Sequence, residues 1–196
     1  MKHSLLVRLL PLAFAAVLSG CAAGYLLDNN VQSFSGLSAL PASPTYRFER
    51  LPSQRASPVQ SQLEAFADPA LFRAGLRRDD AAPNYSVLVT ARVRPVLSPW
   101  SDPWDGWGGW GGHRFMNHGF GSPLRRIDQP WFEREVAVVI REIPSNRVVY
   151  ETHAANDGPL GDSTAVLPAM FQAAMQGFPV APQGPRRVDI QVGISR

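Results

Sequence analysis

The sequence predicts one α+β domain: a single mixed β-sheet with two helices packed on one face and a long Gly/Trp-rich loop. Three observations predict it. Stretches with the two-residue alternation of strands recur along the chain, and two others carry apolar residues at helical spacing. Their order runs strand, strand, helix, strand, insertion, hairpin, helix, strand, with no internal repeat of domain size.

Ahead of the domain lies a leader. Lys2, His3 and Arg8 form a basic start, and Leu9 to Leu18 is an apolar run broken only by Pro11. Such a run is too short for a stable membrane helix, which needs about 20 apolar residues. Ser19 and Gly20 then bring an extended, small-residue backbone to Cys21. Leu18-Ser19-Gly20-Cys21 resembles the bacterial lipobox, whose cysteine thiol takes a diacylglyceryl group before cleavage and a further acyl chain, such as palmitate, after it. The competing reading is a plain signal peptide followed by a free cysteine. Cys21 is the only cysteine, so no disulfide forms within the chain, and a lone thiol in an oxidising compartment is a liability. Stable anchoring takes two acyl chains or more. By resemblance to bacterial sorting signals, Ala22 directs the product to the periplasmic side of the outer membrane, where an aspartate would favour inner-membrane retention. The expected organisation is a signal peptide over 1–20, a lipidated tether over 21–30, and one domain over 31–196 with a flexible insertion at 95–130.

Cleavage leaves 176 residues, enough for one ordinary domain, with 17 basic residues facing 16 acidic ones. This balance and the compartment argue against a nucleic-acid partner, which requires a basic patch. Lys2 is the only lysine, so the mature chain has no lysine for Schiff-base or general-base chemistry.

Each element has its own signal. Val31 to Ser35 is a weak strand candidate, and Leu37 to Pro44 reads as loop. Thr45 to Arg50 alternates more clearly, with Tyr46 and Phe48 on one face. Ser57-Pro58-Val59-Gln60 starts a helix with a cap, a proline at the first position and a glutamine three residues after the cap. Val59, Leu63 and Phe66 follow at helical spacing, Asp68-Pro69 kinks or restarts the helix, and Gly75 stops it with Leu76 packing back. Tyr85 to Val93 is the next strand. Trp131 to Ile143 and Arg147 to Ala155 make the clearest hairpin, joined through Pro144-Ser145-Asn146. Glu133, Arg141, Glu151 and His153 leave one of its faces partly wet. A second helix spans Val166 to Gln176, with Leu167, Phe171 and Ala174 on one stripe, and Gly177 ends it. Val188, Ile190 and Val192 alternate in a closing strand.

Chemistry-bearing residues gather in the insertion. Trp100, Trp104, Trp107 and Trp110 stand among glycines that let rings approach a surface, where they can stack on sugars, sit at a lipid interface or dock a partner. The competing reading is a low-complexity loop whose rings fold back on the sheet. His113, His118, Asp102, Asp105 and Asp128 have metal-ligand chemistry but no fixed spacing, so no metal site and no cofactor are expected. Gly161-Asp162-Ser163 looks like the nucleophile of some esterases. All four histidines precede Ser163, the reverse of that family's order, and the segment suits a turn into a helix. Arg125-Arg126 and Arg186-Arg187 are basic pairs with chemistry for headgroup phosphates or, more plainly, for solvated strand ends. Arg77-Arg78 beside Asp79-Asp80 compensates itself.

Several of these segments together resemble a known family. The lipobox, the Thr45-Tyr46-Arg47-Phe48 strand, the Gly/Trp-rich insertion, the Val149-Tyr150-Glu151-Thr152-His153-Ala154 segment and the Met170-to-Pro179 helix end are similar to proteobacterial lipoproteins catalogued as a domain of unknown function. Many relatives carry tryptophan where Tyr150 stands. The resemblance implies an envelope compartment and an approximate fold, and it brings no catalytic residues. The expectation is a non-enzymatic lipoprotein held in the membrane through Cys21, acting as an interaction or accessory protein with an envelope protein partner. The alternative is a glycan-, peptidoglycan- or lipid-binding module that uses the tryptophans.

Overall fold

The computed structural model describes residues 24–40, 42, 44–99, 130–180 and 182–193. It holds one mixed sheet with two helices, as the sequence predicts. The strands are β1 (Tyr25–Ser35), β2 (Thr45–Phe48), β3 (Arg77–Arg78), β4 (Tyr85–Val96), β5 (Trp131–Glu142), β6 (Arg147–Gly158) and β7 (Arg186–Val192). The helices are α1 (Pro58–Arg73) and α2 (Ser163–Met175), and no described helix is long and apolar enough to cross a membrane. Spatial order is β3-β2-β4-β5-β6-β1-β7, with β2 parallel to β3 and β4 and every other pairing antiparallel.

Alternation in the central strands explains the layering. Val87, Val89, Val136, Val138 and Ile140 are buried on one face, with α1 and α2 packed over the sheet and against each other. The helix α2 supplies Val166, Met170, Phe171, Ala173 and Ala174, all fully buried. Tyr46 and Phe48 meet edge to face at 5.3 Å on the same side.

The helix signals behave as expected. Ser57 Oγ accepts from the Gln60 N–H at 3.3 Å, capping α1, which runs through Pro69 as one helix. Gly75 ends it at φ +98°, and a Cβ there would lie 2.6 Å from Leu40 Cδ2, so only glycine fits. At α2, Asp162 Oδ1 accepts from the Thr164 N–H at 2.8 Å and the Thr164 hydroxyl at 2.6 Å. These bonds, side chain first, hold the Asp162 carboxyl below its usual range. A depressed folded-state value stabilises above the unfolded one and is lost as pH falls through the folded one. Asp162→Asn is therefore expected to flatten the loss of melting temperature between neutral and acidic pH. An unchanged pH profile would show that the cap does not titrate.

Several boundaries differ from expectation, four of them in ways that matter to the fold. Residues 25–30, assigned to the tether, form the first half of β1. Leu27, Asn29, Val31 and Ser33 all point into the core. The alternation is disguised because Asn29 takes a core position, its amide donating to Leu27 O and Val188 O, each at 3.1 Å. Pro95 and Val96, assigned to the insertion, belong to β4, opposite Phe132 and Trp131. Proline is tolerated there because β2 pairs only with Tyr85 to Val87, leaving the far part of β4 an edge on that side. Arg77–Arg78 adds a short strand beside β2, fixed by the backbone bond from Arg77 N to Pro44 O at 2.9 Å. Finally, α2 begins three residues earlier than its apolar stripe suggests, at the Asp162 cap.

Candidate functional site

The pairings bring five strand ends together. Tyr25 of β1 lies opposite Val192 of β7, Val96 of β4 opposite Trp131 of β5, and Phe132 opposite Gly158 of β6. The chain following Cys21 therefore joins the sheet at the end where the β4–β5 insertion leaves and returns. Nothing local in the sequence relates these two segments.

That end is unusually polar on both faces. On the helix-covered face, Asn29, Asn156 and Arg134 form a buried row across β1, β6 and β5. Asn156 Nδ2 donates to Asp28 O at 2.8 Å, and Arg134 Nη1 donates to Asn156 Oδ1 at 3.3 Å and to Phe132 O at 3.4 Å. Arg134 is only 3% exposed, and its Nε and Nη2 have no acceptor among the described residues, nor has Asn29 Oδ1 a donor. Burial pushes the Arg134 guanidinium below the ordinary arginine value. Its charge is partly met by the Phe132 ring, 5.2 Å away.

On the open face, Arg94 Nη2 pairs with Glu133 Oε2 at 2.8 Å, and Arg92 stands opposite Glu135 in the register. Trp131 Nε1 donates to Asp157 at 2.9 Å, and Arg187 pairs with Asp28 and Asp189. A cavity of about 360 Å³ opens on this face among Arg92, Arg94, Glu133, Glu135 and Asp157, two guanidiniums beside three carboxylates. A second cavity of about 500 Å³, at the other end of the sheet, is lined by Arg47, Glu49, Arg50 and Arg55.

The sequence-predicted residues fall elsewhere. Cys21, Trp100, Trp104, Trp107 and Trp110 lie outside the described residues, as do His113, His118, Asp102, Asp105, Asp128 and Arg125-Arg126. His153 is described. It sits on the open face between Glu151 at 2.9 Å and Glu135 at 3.6 Å, a surface charge cluster. Among the described residues, no group of three or more His, Cys, Asp and Glu is arranged to hold a metal ion. Ser163 is the first residue of α2, so its segment serves a helix start. Arg186 is occupied structurally, donating to Ser33 Oγ at 3.2 Å and to Gln176 O.

Arg92 and Arg134 fall within strands that the sequence predicts, Arg94 just past the end of one, and none of the three stands among the predicted site residues. The signal that exposes Arg134 is its parity with Val136, Val138 and Ile140, which puts a guanidinium on the buried face.

A family model described as Domain of unknown function (DUF4136) matches residues 32–180. No curated protein matches the sequence significantly. Among solved structures, the fold is similar to the PelC dodecamer from Paraburkholderia phytofirmans at 11% identity, over 75% of this chain and 94% of that one, with a TM-score of 0.44. It is also similar to a PDZ domain protein from Parabacteroides distasonis at 16% identity, over 93% of this chain and 42% of that one, with a TM-score of 0.44.

Proposed function

The chain belongs to the Domain of unknown function (DUF4136) family, and from that premise we propose that it is a lipid-anchored envelope protein of non-enzymatic role. In this reading Cys21 carries the lipid, the domain stands on the periplasmic side of the outer membrane, and its work is interaction within a larger envelope assembly. The observation that carries the reading is the junction between leader and domain. Leu18-Ser19-Gly20-Cys21 is followed almost at once by Tyr25, the first residue of β1. A lipid on Cys21 would hold the folded sheet within about 14 Å of the bilayer, since four extended residues span at most ~3.3–3.6 Å each. The non-enzymatic part draws on the family resemblance, which brings no catalytic residues, and on the place of His153 in a surface cluster with Glu151 and Glu135.

Replacement of Cys21 by serine tests the anchor. After an alkaline carbonate wash, the wild-type protein is expected in the outer-membrane pellet and Cys21→Ser in the supernatant. A serine variant that stays in the washed pellet would sink the anchor. Crosslinking in the intact envelope followed by mass spectrometry then identifies the partner. The alternative, a glycan- or lipid-binding module, draws on the four tryptophans of the insertion. Because the insertion leaves the sheet at the same end as the start of β1, lipid is favoured over peptidoglycan as its ligand.

A further inference from the structure

The helix layer carries an apolar trough, a cavity of about 570 Å³ between α1, α2 and the end of β7. Phe66 and Pro69 of α1, Pro168 and Ala169 of α2, and Ile190 and Val192 of β7 line it. Phe66, Ile190 and Val192 are only partly buried, packed against the core from outside. The small side chains of Ala165 and Ala169 leave space that larger ones would fill. Arg73 is the one charged residue lining this cavity, and its Nη1 donates to Gln172 Oε1 at 2.7 Å across the two helices. Both residues also line a second cavity of about 290 Å³, which continues the trough past Met175 and Phe178. Such a lining suits a long apolar chain and offers little to a charged or sugar ligand.

The trough begins where the chain from the leader enters the sheet. Tyr25 pairs with Val192, and a Cβ built on Gly24 would lie 2.6 Å from Gln191 Nε2, so Gly24 abuts a side chain that lines the trough. Thr164, Ala165, Val192 and Gly193 line the first cavity and not the second, so the trough runs away from that end. Cys21 precedes Gly24 by three residues, at most about 11 Å of extended chain.

We propose that the trough holds one acyl chain of the lipid on Cys21. The proposal rests on the lipid-anchor reading, in which a diacylglyceryl group and a further acyl chain share that cysteine. Two chains then stay in the bilayer, enough for stable anchoring. The third is out of water in either place, so the difference lies in the trough: filling it removes its apolar walls from water as well. Tethering adds to this, since a ligand held by a short linker has an effective concentration on the order of millimolar. The result is a domain with a fixed orientation to the membrane in place of a free tether.

Palmitate titrated into the mature chain carrying Cys21→Ser probes the trough without the tethered lipid, and saturable binding at one site is expected. Ala165→Trp, at an exposed position in the mouth, should weaken it about tenfold or more, roughly 1.4 kcal/mol. Thr90→Trp, exposed on the open face, should leave it unchanged, and both variants should melt as the parent does. Photocrosslinking in intact envelopes identifies the occupant. With Ala165→benzoylphenylalanine, illumination should join residue 165 to an acyl chain of its own Cys21, and the same probe at Thr90 should not. Absence of saturable palmitate binding, or failure of Ala165→Trp to weaken it more than Thr90→Trp does, overturns the proposal. So does capture at residue 165 of a bulk phospholipid, of protein or of nothing. Mass spectrometry of the peptide carrying Cys21 separates the two possible failures. A peptide without acyl groups sinks the anchor reading and the occupant with it, whereas an acylated peptide without capture at residue 165 sinks only the occupant.

Discussion

Phe171→Ala is expected to destabilise the domain by about 3–5 kcal/mol, the range for truncating a fully buried aromatic side chain. Phe171 has no exposed surface and lies mid-way along α2, the helix packed over β1, β5, β6 and β7. Its ring cannot be replaced by collapse of its neighbours, because Val166, Met170 and Ala174 are already fully buried against the same sheet. Phe72→Ala provides the control. That ring is 58% exposed and stacks under the Arg77 guanidinium at 4.0 Å, so its loss should cost about 1 kcal/mol or less. Urea denaturation of the Cys21→Ser chain measures both. A loss below about 1.5 kcal/mol at Phe171 would mean that α2 is not the main core element.

The second large effect has the opposite sign. Arg134→Met should raise stability by about 1–2 kcal/mol, since an apolar side chain of similar length removes a buried charge that, among the described residues, has no carboxylate partner within ion-pair distance. Among the described residues, the guanidinium has two long hydrogen bonds and a ring to offset its desolvation. Loss of the donor to Asn156 Oδ1 subtracts from the gain without reversing it. A rise in the urea midpoint at constant slope is the expected result. A drop of more than about 1 kcal/mol would show that the guanidinium is satisfied in a way the described residues do not reveal.

Legibility in the sequence followed the range of the interaction. The cap of α1 and the stop at Gly75 were readable because each is made by residues within a few positions of one another. The β5–β6 hairpin was readable for the same reason, its strands joined by four turn residues. Within that hairpin a register shift between Ile140 and Arg141 was not readable. Ile140 pairs with Tyr150 while Arg141 pairs with Val148, so Val149 is the extra residue, and Val149 and Tyr150 are both buried. A bulge breaks the two-residue period, and three apolar-rich positions in a row do not show where. The start of β1 was missed because Asn29 satisfies its amide through Val188, a residue far along the chain.

The candidate site was the least legible part. Its arginines and carboxylates belong to β4, β5 and β6. Sequence patterning instead drew attention to the tryptophans and histidines of the insertion, which lie outside the described residues.

By itself the sequence determined the α+β class, the capped start of α1 and its stop at Gly75, because each depends on composition or on local hydrogen bonds. Only the tertiary structure decided that β1 sits between β6 and β7, that the chain after Cys21 and the Trp-rich insertion share one end of the sheet, and that Arg134 is buried there. Those facts depend on pairings between residues more than 100 positions apart, such as Val31 with Ala154 and Tyr25 with Val192. Such pairings are selected by burial of one sheet face against two helices, a condition that no short stretch of sequence contains.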